Sequence, residues 1–234
     1  QGNDNVSIIE YDSCGRISKE WLPAEMNTHG MYQNPESVIF ASQSTNRDTK
    51  PYSHKAYENN PMSRIVAEFG AGNNWHDNSR AQNFEYLTNT GANGSLACKK
   101  YSIDHSNESF SYAGFYDEGE LDVIKNTDED GNVVYEFKNL FGDVILRRAI
   151  GDGEFDTYYI YDNKGNLCYV LPPKASSIIE NSSDNGSQNN TALADLAYSY
   201  KYDSKNRCIE KKLPGCAPIY YVYDKYNYLL FSQD

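Results

Sequence analysis

The residues able to hold a metal or act as a nucleophile are few and scattered. His29, His54, His76 and His105 show no HExxH or Hx3H spacing, so a zinc site would need a coincidence of folding. Cys14, Cys98, Cys168, Cys208 and Cys216 form an odd set with no CxxC pair and no neighbouring histidine. They read as free thiols in a protein that does not depend on disulfides. Neither a GxSxG elbow nor a phosphate-binding glycine loop occurs. The stretch Asn126 to Gly131 imitates the first half of a calcium loop, but Phe137 stands twelfth where a bidentate Glu is needed, and the turn reading is preferred. Asp117-Glu118 and Asp152-Glu154 are carboxylate neighbours that an acidic chain places on its surface. Acid–base catalysis needs groups within mutual reach, and no such set stands out. The expectation is a non-enzymatic protein with no catalytic residue, cofactor or metal.

A different chemistry recurs. Tyr11-Asp12-Ser13-Cys14-Gly15-Arg16 returns as Tyr161 to Asn166, Tyr202 to Arg207 and Tyr223 to Tyr228, with looser copies at Thr127 to Asn132 and Asn139 to Asp143. The second position is Asp or Asn, which bonds its own backbone in turns. The fifth is Gly or Asn, the residues that enter the left-handed region at least cost. That pattern predicts a type I turn closed by a left-handed residue, the bulged loop of an antiparallel hairpin. The turn residues expected to matter are Asp12 and Gly15, Asp128 and Gly131, Asp162 and Gly165, Asp203 and Asn206, and Asp224 and Asn227.

The flanking sequence agrees. Tyr159 and Tyr161, then Tyr198, Tyr200 and Tyr202, then Ile219, Tyr221 and Tyr223 alternate along the incoming strands, placing a tyrosine row on one face. Pro23, Pro173 and Pro214 each fall eight residues past the Gly or Asn, where each would end an outgoing strand. Turn centres at Gly131, Gly142, Gly165, Asn206 and Asn227 lie 11, 23, 41 and 21 residues apart, which fits a unit of about twenty, halved or doubled.

Composition supports this reading and narrows the partners. Tyrosines number 21 against 9 phenylalanines, as suits a half-wet pleated surface. A net charge of -12, with no basic cluster larger than Arg147-Arg148 or Lys211-Lys212, argues against nucleic acid. No apolar run is long enough to span a bilayer, so the chain is not expected to be membrane-embedded. The polar start, Gln1 to Asn5, is not a secretion signal, and one would lie outside this sequence.

Two regions are expected: a degenerate repeat region with long irregular loops over 1–126, and a hairpin array over 127–234. Between Pro23 and Tyr101 the pattern loosens, predicting loops, a short helix and a few irregular strands. Polar bias makes 174–190 an insertion with the character of a mobile surface loop, followed by a capped helical turn over Thr191 to Leu196. The outgoing strand Tyr228 to Ser232 has just begun when the chain stops at Asp234, so an exposed edge open to self-association is expected. The fold class is mostly β: an antiparallel twisted sheet of hairpin repeats with irregular loops and one or two short helices.

The intact Tyr11 to Arg16 motif, its degenerate copies and several longer strings resemble the YD-repeat, or Rhs, family of large bacterial surface and toxin-delivery proteins. The strings are Glu58 to Arg64, Gly72 to Trp75, Glu85 to Thr90, Tyr158 to Asp162, Leu171 to Lys174 and Glu210 to Gly215. The resemblance implies repeats wound into a spiralling antiparallel sheet, which in complete members forms a hollow shell around a C-terminal toxin or effector. Too few units are present here to close a shell. It further implies an extracellular or cell-surface location, and as partners the further repeats and C-terminal effector of a parent chain.

The leading expectation is a structural segment of a larger secreted or surface protein, a shell wall or spacer acting by physical exclusion, with its tyrosine face inward and an acidic face in water. The alternative is a carbohydrate-binding or adhesive module that stacks glycan rings on Trp21, Trp75 or exposed tyrosines. A more distant one is a glycosidase-like enzyme, which would need two carboxylates facing across a pocket.

Overall fold

The computed structural model describes residues 4–104, 109–181 and 195–234. Strands β1 (Asp4–Val6), β2 (Ile9–Tyr11), β3 (Ile17–Trp21) and β4 (Ala24–Met26) come first, then helix α1 (Pro35–Asn46). Next are β5 (Tyr52–Tyr57), β6 (Ile65–Phe69), the short helix α2 (Asn73–Asp77) and β7 (Ala81–Thr88). A hairpin of β8 (Lys99–Asp104) and β9 (Ser109–Phe115) precedes β10 (Asp122–Thr127), β11 (Val133–Lys138), β12 (Val144–Ile150), β13 (Glu154–Tyr161) and β14 (Leu167–Leu171). Helix α3 (Pro173–Asn181) is followed by β15 (Tyr198–Tyr202), β16 (Cys208–Lys212), β17 (Ile219–Tyr223) and β18 (Leu229–Gln233).

The expected fold class is the observed one. Fourteen strands form one sheet in the order β18-β17-β16-β15-β14-β13-β12-β11-β10-β7-β6-β5-β3-β2, while β1-β4 and β8-β9 pair separately. Neighbours in sequence are mostly neighbours in the sheet, as expected when each hairpin adds beside the last. Strands β3, β14 and β16 end at Trp21, Leu171 and Lys212, each two residues before its proline. Proline lacks the N–H that the next ladder bond requires.

The chain divides into two compact units, one built from residues up to Glu85 with Lys125–Val133, the other from Tyr86–Ile124 and Val134–Asp234. The expected boundary after residue 126 falls inside β10.

In the first unit the stretch between Pro23 and Tyr101 is more regular than its polar sequence suggests. Helix α1 begins where Asn34 Oδ1 accepts the Glu36 N–H at 3.0 Å and Pro35 takes the first helical position. It docks through buried Val38 and Ser42, whose hydroxyl donates to the Leu22 carbonyl at 2.7 Å. The helix stops at Arg47, which is left-handed with φ 52°. Strands β5 and β6 pair as an antiparallel hairpin with one register shift, between Ala56 and Tyr57.

The second unit holds a continuous core. Leu146 on β12, Tyr158 on β13 and Leu171 on β14 are opposite one another in register and fully buried. Phe110 of the β8-β9 hairpin, Cys98 and Ala175 and Ile179 of α3 belong to the same cluster. Two expectations are corrected here. The insertion at 174–190 begins as a helix: its composition is polar, but Ala175 and Ile179 are four apart on one helical face and bury against the sheet. Ser176 ties the first turn down by donating to the Leu171 carbonyl at 3.0 Å. Residues 182–190, and most of the helical turn over Thr191 to Leu196, lie outside the described residues. The second correction concerns the tyrosine row. On β13 the buried face is Tyr158 and Ile160, while Tyr159 and Tyr161 are only half-buried. Period-two alternation was legible, but which face the β8-β9 hairpin and α3 would cover was not.

Candidate functional site

The feature repeated most faithfully along the chain is the turn itself. In each of six hairpins the N–H of the lead residue donates to the carbonyl four residues on, and the fourth residue donates back to the lead carbonyl. The leads are Asp12, Asp128, Asn139, Asp162, Asp203 and Asp224, and the fourth residues, Gly15, Gly131, Gly142, Gly165, Asn206 and Asn227, have φ between 59° and 88°. The lead side chain braces the loop from inside. Asp162 Oδ1 accepts the N–H of Lys164 at 2.9 Å and of Asn166 at 2.8 Å, and Asp12, Asp128, Asp203 and Asp224 do the same. Backbone donation by Arg16 to Asp12 and by Arg207 to Asp203, aided by each guanidinium, holds both carboxyls below their ordinary range. Asp128 is lowered chiefly by the Asn132 side chain, so both its oxygens face the loop's own donors.

In three of these turns the residue after the left-handed position reaches the next hairpin. Arg16 closes on Asp12 at 2.7 Å and extends Nη1 to Ser63 Oγ at 3.2 Å. Arg207 closes on Asp203 at 2.7 Å and extends Nη1 to the Asp224 carbonyl and Asn227 Oδ1, both at 3.0 Å. Asn166 makes a weaker version, to Asp162 at 2.9 Å and Asn206 at 3.3 Å. In return, the tyrosine opening the next turn donates to the preceding outgoing strand: Tyr57 to the Ile17 carbonyl at 2.8 Å, Tyr202 to Leu167 at 2.9 Å and Tyr223 to Cys208 at 2.9 Å. The two guanidiniums lie over these rings, Arg16 4.5 Å from Tyr57 and Arg207 4.9 Å from Tyr223. Burial raises the Tyr202 phenol to about 12. Tyr11, on the end strand β2, is 61% exposed.

One unit escaped the sequence reading. Tyr57 to Arg64 is a turn of the same design in which Glu58 replaces Asp and the loop is longer. The Glu58 N–H donates to the Arg64 carbonyl, Arg64 closes on Glu58 in bidentate fashion at 2.6 and 3.0 Å, and Ser63 takes the left-handed position with φ 53°. The extra methylene of Glu spans the longer loop. Its signal was the bulge-forming tyrosine: register slips fall at Tyr11, Tyr57, Tyr161, Tyr202 and Tyr223 alike.

The other candidate residues have structural surroundings. Trp21, expected as a stacking platform, is 8% exposed, lies 4.7 Å from the Tyr52 ring and donates Nε1–H to Glu10 at 2.7 Å. That is a correction: register places it on the sheet face shared with Tyr52, where it is covered. Trp75 is half-buried, its ring close enough to Gly70 that an added Cβ would come within 3.0 Å of it. His76 contacts the Tyr52 carbonyl through Nε2 at 2.9 Å, which makes that nitrogen the protonated one, and its ring stacks with Phe69. His54 also stacks with Phe69, its ring 6.4 Å from that of His76, and burial, then His76 and Lys19, lowers its pKa. Among the described residues no three His, Cys, Asp or Glu side chains come together as a metal site; His105 lies outside them. Burial pushes the Cys98 thiol well up and Cys168 to about 11, so neither is an activated nucleophile.

A buried ion pair was not foreseen. Arg148 forks onto Asp156 at 2.7 and 2.8 Å and donates to the Ser95 and Ala97 carbonyls at 3.2 and 3.3 Å. It pins an irregular loop to the sheet. Hollows of about 170 and 180 Å³ are lined largely by strand side chains and one of about 370 Å³ by α1 and the turn after it, and none of the three gathers a pair of facing carboxylates.

The model of a family described as "Domain of unknown function (DUF6443)" matches residues 1–88. No curated protein matches the chain. Among solved structures it is similar to the crystal structure of TcdB2-TccC3-TEV, with TM-score 0.54 and 13% identity over 97% of this chain. The chain spans 9% of that chain's length. At this identity the likeness is one of fold.

Proposed function

We propose that this chain is a non-enzymatic wall segment of a larger Rhs-type secreted or cell-surface protein, a length of sheet that separates a C-terminal effector from its surroundings. The observation that carries the reading is the reciprocal linkage of successive hairpins. Arginine or asparagine of one turn holds the next, and tyrosine of the next holds the last. Such wiring makes a continuous barrier from weak parts and calls for no pocket. The fold likeness to TcdB2-TccC3-TEV and the strings shared with the Rhs family support it. The adhesive alternative loses Trp21 and keeps the half-buried Trp75 and exposed tyrosines such as Tyr32, Tyr226 and Tyr228.

The test uses the full reading frame containing this chain. Limited proteolysis of the intact protein is expected to spare the segment that follows residue 234. Deleting 127–234 is expected to expose that segment to cleavage. Equal cleavage before and after the deletion would overturn the proposal.

A further inference from the structure

A row of aromatic rings crosses one face of the first unit's sheet. Lys19 of β3, His54 of β5 and Phe69 of β6 are opposite one another in register, and Trp21 and Tyr52 are the next pair along the same face. Helix α2 brings His76 into this row. Its ring is 4.7 Å from Tyr52 and 5.4 Å from Phe69, near-parallel to the latter, and Phe69 is in turn 5.7 Å from His54. The two imidazoles are 6.4 Å apart.

The charges around this pair are already committed. Lys19 holds its Nζ 5.0 Å from the centre of the Tyr52 ring, and Glu10 of β2 is divided between Lys19 at 3.0 Å and the Trp21 indole at 2.7 Å. Asp48 is the carboxylate on the His76 side, and its oxygens accept the N–H groups of Asn73 and Lys50. The Lys50 ammonium closes on Asp77 at 2.5 Å. Glu20, Lys55 and Glu68 alternate onto the opposite face and pair there. Strand β7 places Ala81 opposite Phe69, and Arg47 and Arg80 are exposed. None of these carboxylates is free to pair with a charged His54, while Lys19 and His76 oppose that charge. Burial first, then His76 and Lys19, holds the His54 pKa below its ordinary value. Neutral His54 therefore contributes stability that is complete above about pH 6.5 and is lost as the pH falls below it.

The strands flanking His54 are held by their ladders, whereas α2 has fewer ties. Asn73 N–H donates to Asp48 at 3.0 Å, Gly72 N–H to the Lys50 carbonyl at 2.9 Å, and His76 to the Tyr52 carbonyl at 2.9 Å. With the Lys50–Asp77 pair these fasten five residues, too short a helix to persist by itself. It is the element that yields. We propose that α2 is an acid-released latch: protonation of His54 and His76 lifts it from the β3-β5-β6 face and uncovers Tyr52 and Phe69. The latch goes beyond the wall reading and does not depend on it.

Hydrogen exchange of the whole chain, followed by mass spectrometry at about pH 7.5 and 5.5 and expressed as protection relative to unstructured peptide at each pH, tests the latch. Protection of residues 72–80 is expected to fall more than tenfold at the lower pH, with β5, β6 and the second unit's core unchanged. His54→Gln with His76→Gln keeps a side-chain donor at each position without a titrating group, and is expected to leave α2 protected at both. Lys19→Met removes an opposing cation and frees Glu10, so the response is expected to move to lower pH. His29→Gln, at an exposed position before α1, is expected to leave the response as it is in the wild type. Equal protection at the two pH values, a response that survives the double change, an unmoved response in Lys19→Met, or β5 and β6 losing protection together with α2 would overturn the proposal.

Discussion

At Gly165 the backbone has φ 82°, a conformation that costs an L side chain energy even though a Cβ there would meet nothing within 4 Å. Replacement with alanine is therefore expected to lower stability by about 1–2 kcal/mol, read from urea denaturation. Gly153 has equal space and no left-handed φ, so Gly153→Ala should leave the midpoint nearly unchanged. This part of the design was legible because it is local: an Asp accepting from residues two and four ahead, and a Gly or Asn in the left-handed slot, are chemistry within five residues. The Tyr57 to Arg64 turn was missed because Glu and two additional loop residues disguise the same bonds. The reach of Arg16 to Ser63 was missed because it joins residues 47 apart, and no spacing rule in a single sequence reveals it.

At the scale of the element, Arg148 shows what strand alternation decides. Read as one half of a basic pair with Arg147, it is instead on the core-facing side of β12, opposite Asp156 in register and 7% exposed. Removing it leaves Asp156 buried without its cation. Arg148→Ala is expected to destabilise the protein by about 3–5 kcal/mol, whereas Arg148→Met combined with Asp156→Leu should cost much less. Thermal and urea unfolding of the two variants check this, and equal losses would count against it. Helix α3 and the β8-β9 hairpin were hidden for a related reason. Each covers the core with only a few apolar side chains, Ala175 and Ile179 in one and Phe110 with the partly buried Tyr101 and Ile103 in the other, set in otherwise polar sequence.

Across the whole molecule, the order of strands could be read almost directly from the order of turns, because consecutive hairpins pair with one another. An exposed edge was expected at the outgoing strand Tyr228 to Ser232, whereas β2 was not foreseen at the other end of the sheet. β18 is one end, and Leu229, Leu230 and Phe231 are exposed along it, beside an unpaired row of backbone groups among the described strands. The isolated chain is expected to associate as its concentration rises, and Leu230→Lys to suppress this, as followed by light scattering. A wild-type chain that stays monomeric at every concentration would contradict it. The linkage between hairpins also has a sense of direction. At the three joints where it occurs, the guanidinium or amide points toward the following turn and the phenol points back. An array wired this way has distinguishable head and tail, so a gene can gain or lose whole linked hairpins by duplication or deletion, and a joint newly brought together between two such turns still finds a donor and an acceptor in place.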